Sequence, residues 1–89
     1  MSIKSISSGI LSHSELIVDH ESWLNGAILT GGSTDAKVTF YDSDDDDLGD
    51  ALEIGFISKD VPYFDYCVHA SKGIYAEVEN GAEYMVLRG

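Results

Sequence analysis

Apolar and polar residues alternate with a period of two along most of this chain, the pattern of strands with one buried face. The pattern is clearest over residues 72–87. There Ile74, Ala76 and Val78 alternate with Tyr75, Glu77 and Glu79, Asn80-Gly81 follows, and Glu83-Tyr-Met-Val-Leu87 returns as a second strand. Asn-Gly is the dipeptide that most readily takes the two positive φ angles of a tight hairpin turn. A lone hairpin is marginal in water, so this one needs further strands to cover its apolar face.

The remaining segments read as that cover. Residues 9–11 and 15–19 fit an edge strand, and residues 26–30 (Gly-Ala-Ile-Leu-Thr) a further strand. His20-Glu-Ser is a helix-cap pattern, but Trp23-Leu-Asn-Gly26 gives it no helical continuation. In residues 36–42, Ala36, Val38 and Phe40 face one way and Lys37, Thr39 and Tyr41 the other. Residues 51–58 alternate through Leu52, Ile54 and Phe56, and residues 63–69 form an aromatic strand. Pro62 lies in the turn between those two, outside the strand cores where it would remove a ladder hydrogen bond. With turn signals every ~10–15 residues and no sustained 3.6 period, the expectation is all-β: one small antiparallel sandwich or barrel of about six or seven strands. The single β domain spans residues 9–89. Residues 1–8 read as an N-terminal arm, either flexible or ordered by docking onto a neighbouring subunit.

Charge changes the picture more than composition does. A hydrophobic fraction of 44% is that of an ordinary folded domain, whereas 16 acids against five bases give a net charge of −11. That charge speaks against nucleic acid or an anionic membrane as partner, and favours a basic partner or bound cations. The single Cys67 excludes an internal disulfide. No apolar run approaches the ~18 residues of a membrane helix. The N-terminus lacks the apolar core of a secretory signal, which points to a soluble protein made in a cytoplasm.

Four features bear on chemistry. Asp42, Asp44, Asp46, Asp50 and Glu53 fall at positions 1, 3, 5, 9 and 12 of an EF-hand loop, but position 6, which needs glycine, is Asp47, and both flanks read as strands. A looser Ca²⁺ or Mg²⁺ site from these carboxylates is the alternative; a solvated hairpin loop that resists aggregation is the preferred reading. His13, His20 and His69 match no metal spacing, and with Cys67 supply only a Cys-x-His pair. No Gly-x-Ser-x-Gly elbow is present, and Cys67, set among aromatics, is expected to be buried and inert. The reading is therefore of a non-enzyme without a cofactor. Of the aromatic set, Tyr41 and Tyr75 fall on the second strand face and are the candidate interface residues.

Residues 26–32 (Gly-Ala-Ile-Leu-Thr-Gly-Gly), 36–42 (Ala-Lys-Val-Thr-Phe-Tyr-Asp), 72–78 (Lys-Gly-Ile-Tyr-Ala-Glu-Val) and 81–84 (Gly-Ala-Glu-Tyr) stand in an order and spacing that resemble small tailed-bacteriophage virion proteins. The resemblance runs from Trp23 to Leu87, and its motifs are structural rather than catalytic. It implies a β-sandwich that decorates or cements a capsid, residing in the virion after synthesis in the bacterial host cytoplasm. The implied partner is the major capsid protein or another virion protein, met as a homo-oligomer with a trimer favoured. A head–tail or tail-fibre-associated piece is the alternative within the particle, and a Ca²⁺-dependent binding module built on residues 42–53 the alternative outside it. The chain departs from the resemblance in its run of aspartates after Asp42, where small residues are expected, and in its closing Val-Leu-Arg-Gly.

Overall fold

The alternating stretches become strands in the computed structural model, which describes residues 6–65 and 67–89. In chain order these are β1 (Ile6–Ser7), β2 (Glu15–Val18), β3 (Ser22–Gly31), β4 (Lys37–Asp42), β5 (Leu52–Ser58), β6 (Tyr63–Phe64), β7 (Val68–Ala70), β8 (Ile74–Glu79) and β9 (Glu83–Arg88). They form two antiparallel sheets, one of five strands ordered β1-β9-β3-β6 with β7 also on β3, the other of four ordered β2-β8-β4-β5. The two pack face to face as a small β-sandwich, as alternation predicts, with no helix among the described residues.

Two changes raise the strand number above the expected six or seven. Ile6 and Ser7, read as part of an arm, pair with Arg88 and Leu87, and Ser8 exchanges hydrogen bonds with Val86. The rest of the arm lies outside the described residues. The aromatic stretch 63–69 is not one strand but two: Tyr63–Phe64 pairs with Ile28 and Ala27, and Val68–Ala70 with Leu24, Trp23 and Ser22. Both lie along β3, which runs for ten residues and takes in Ser22–Asn25, a segment without a strand pattern of its own.

The core lies between the sheets, where Leu24, Val38, Phe40, Ile57, Ile74, Tyr84 and Val86 are fully buried. Each such apolar side chain contributes ~1.5–3 kcal/mol relative to leaving it exposed. Phe40 of the four-stranded sheet meets Phe64 and Tyr84 of the other edge-on, with ring centroids 6.1 Å and 6.2 Å away. Burial pushes the Tyr84 phenol well above its ordinary pKa, and its hydroxyl donates to the His13 carbonyl at 2.7 Å. That bond fastens the crossing from β1 to β2.

One expected face is reversed. Leu52, Ile54 and Phe56 alternate in sequence, yet Ile54 and Ile57 are buried while Leu52 and Phe56 are exposed. The cause is a bulge: Phe40 pairs with Gly55 and Tyr41 with Glu53, leaving Ile54 as an extra residue. Past the bulge, inward and outward positions exchange. Gly55 then faces the interior, where a Cβ would stand 3.1 Å from the Phe64 ring.

Candidate functional site

The aspartate loop is built by its own side chains. Ser43 donates to the Asp45 carbonyl and accepts from the Asp45 N–H, the Asp45 carboxylate accepts from the Asp47 N–H at 3.0 Å, and the Asp47 carboxylate accepts from the Gly49 N–H at 3.3 Å. These are Asx and Ser turns chained end to end, a conformation that short polar side chains favour over a ladder.

Asp42 belongs to a different structure. One of its carboxylate oxygens accepts from the Ser71 N–H and hydroxyl at 3.0 Å and 2.9 Å, the other from the N–H groups of Lys72 at 2.8 Å and Gly73 at 3.4 Å. Burial alone would raise this carboxyl, but the Lys72, Ser71 and Gly73 donors outweigh it and hold its pKa below the ordinary carboxylate value. Asp42 thus caps the turn between β7 and β8.

Asp42, Asp44, Asp45, Asp47 and Asp50 do line an open dip of about 210 Å³, together with Lys72. Among the described residues, however, no three His, Cys, Asp or Glu side chains converge as a metal would require. Asp44, Asp46 and Asp50 are exposed loop residues, and Glu53 sits within β5 opposite Tyr41.

The other sequence candidates are dispersed. His13 lies beside Ser12 at 3.4 Å, too long to mark an activated hydroxyl, and His20 beside Asp19 at 3.2 Å. His69 Nε2 sits 2.7 Å from the Glu21 carboxylate, and its ring centroid is 4.9 Å from that of Trp23. Cys67 is exposed, against the expectation of burial, because it lies in the connection between β6 and β7 and not within a continuous strand.

Tyr41 and Tyr75 are brought together as direct register partners on β4 and β8, both half-buried. Their neighbourhood is acidic. Desolvation raises the Tyr41 pKa, and Glu77, Glu53 and Glu79 raise it further. Lys37 lies over the Phe56 ring, 5.2 Å from its centroid.

The opposite side of the molecule carries a surface of a different kind. On the outer face of the five-stranded sheet Ile28 pairs with both Met85 and Tyr63, and Leu87 follows two residues along β9. Ile28 is 41% exposed, Tyr63 63% and Leu87 37%, around a shallow depression of about 250 Å³ whose lining is almost wholly apolar. Trp23, 50% exposed, stands on the same face beside His69. Sequence reasoning overlooked this face, although a signal exists. Residues 27–29 (Ala-Ile-Leu) and 84–87 (Tyr-Met-Val-Leu) are apolar at successive positions, so each strand offers apolar side chains to both sides.

Comparison with protein-family models and with curated proteins finds no match to this chain.

Proposed function

We propose that this protein is a non-enzymatic structural component of a tailed-bacteriophage virion, a decoration or cement protein docking on the major capsid protein. The observation that carries the reading is the apolar depression on the open outer face of the five-stranded sheet, lined by Ile28, Tyr63, Met85 and Leu87. An apolar depression on an open sheet face, and not in a cleft, suits protein docking better than it suits turnover of a small substrate. The sequence resemblance supplies the virion context.

A subunit of 89 residues has little area with which to bind. Symmetric positions on a shell offset this: copies lined up as a trimer or another cyclic oligomer add weak contacts through effective concentration. On this reading the shell templates the oligomer.

The test is quantitation of the chain in purified phage particles. Copy number on the scale of the capsid protein is the expected result. A handful of copies per particle would assign it to the head–tail junction or a tail fibre, and absence from intact particles would overturn the reading.

A further inference from the structure

We infer that the outer face of the five-stranded sheet takes a protein partner that presents an apolar projection flanked by lysine or arginine, and not a second copy of this chain. The inference rests on the docking reading only for treating this face as an interface; the chemistry of its occupant follows from charge. Asp65 is part of the lining of the depression formed by Ile28, Tyr63, Met85 and Leu87. Glu83 stands two residues before Met85 on the same face of β9, and Glu21 flanks it beyond Trp23 through its contact with His69. Arg88 is the one Lys or Arg in the strands of this sheet, and it lies on the other side, with Ile17. The face is therefore an apolar centre with an acidic rim, with no Lys or Arg on it from the described strands of its sheet and with one imidazole, that of His69, already 2.7 Å from Glu21.

A two-fold pairing of this face with itself would set one acidic rim, with Asp65 and Glu83, against the same rim of the other copy, between chains that each carry −11. Like charges across an interface suppress a partner, whereas flanking lysines or arginines would meet Asp65 and Glu83 with opposite charge. An apolar knob in the depression supplies the desolvated centre, and the basic flanks supply specificity and a fast encounter.

The full chain is titrated, with its methyl and amide resonances observed by NMR, against three synthetic peptides: a Leu/Phe segment flanked by lysines, the same segment flanked by glutamates, and a Lys/Ser peptide without apolar residues. Only the first is expected to shift Ile28, Met85 and Leu87 saturably. Its affinity should fall about tenfold or more between ~50 mM and ~500 mM NaCl, as screening shortens from beyond 10 Å to a few ångströms. Leu87→Ser should abolish the shifts. The double variant Asp65→Asn/Glu83→Gln, which alters only exposed carboxylates, should weaken binding several-fold and flatten its salt dependence.

Equal binding of the glutamate-flanked peptide would overturn the inference, as would shifts centred on Tyr75 and Glu77. So would sedimentation of the free chain as a dimer at low salt that Leu87→Ser returns to monomer, since a second copy would then cover the face. Absence of the chain from phage particles would leave these results standing, and failure of the peptides would leave its presence in particles untouched.

Discussion

Asp42→Ala removes the acceptor on which the β7–β8 turn closes. Four donors lose their partner at once: the N–H groups of Ser71, Lys72 and Gly73 and the Ser71 hydroxyl, now at 2.8–3.4 Å. A shielded hydrogen bond to a charged acceptor is worth ~1.5–3 kcal/mol, but Ser71 and Lys72 are exposed and water replaces much of what they lose. The sum is therefore about 2–3 kcal/mol, which for a domain of this size lowers Tm by roughly 10–20 °C. Asp42→Asn should cost about half as much, because one oxygen remains while an amide NH₂ faces the other donors. The folded carboxyl has a lowered pKa, so the part of its contribution that depends on charge is complete above the unfolded value of about 3.9 and is lost as pH falls through the lower folded value. The gap in stability between wild type and Asp42→Ala, followed by circular dichroism melts, should hold steady from neutral pH to about pH 5 and narrow to roughly half below about pH 4, where the neutral carboxyl keeps one acceptor oxygen. An alanine variant melting with the wild type near neutral pH, or a gap undiminished in acid, would refute this role for Asp42.

Gly73→Ala should be more damaging than any surface change, since its Cβ would meet the Val18 carbonyl oxygen at under 2.5 Å and the Ser43 carbonyl oxygen at 2.8 Å; a loss of at least ~2 kcal/mol in denaturant unfolding is expected. Gly81→Val meets no neighbouring atom but forces a β-branched residue to φ 71° in the turn after Asn80, at φ 58°, and should cost ~1–2 kcal/mol in thermal melts. Asp45→Asn/Asp47→Asn keeps both side-chain acceptors and relieves repulsion, so its Tm should match or slightly exceed that of wild type, whereas the Ala pair should lower it; Ca²⁺ and NaCl at equal ionic strength should shift Tm alike. Tyr84→Phe leaves the buried ring and orphans the His13 carbonyl, for an expected loss of ~1 kcal/mol in urea unfolding.

What could be read from the sequence was what depends on near neighbours. Ile74, Ala76 and Val78 pointing inward, Val38 and Phe40 doing the same, and the positive φ angles of Asn80 and Gly81 all follow from pleat geometry and local sterics. Tertiary structure decided the rest. Pairing with β4 placed a bulge at Ile54 and so sent Phe56 outward and Ile57 inward, which no reading of β5 alone contains. Long-range pairing with β7 and β9 recruited Ser22–Asn25 into β3, and the route from β6 to β7 exposed Cys67. Asp42 looked like the first residue of an acidic loop until the chain brought donors 29 to 31 residues away to its carboxylate. The apolar face of Ile28, Tyr63, Met85 and Leu87 likewise exists only once β3, β6 and β9 lie side by side. A strand's period states that it has two faces; which of them meets the core and which meets solvent or a partner is set by the register its neighbours impose.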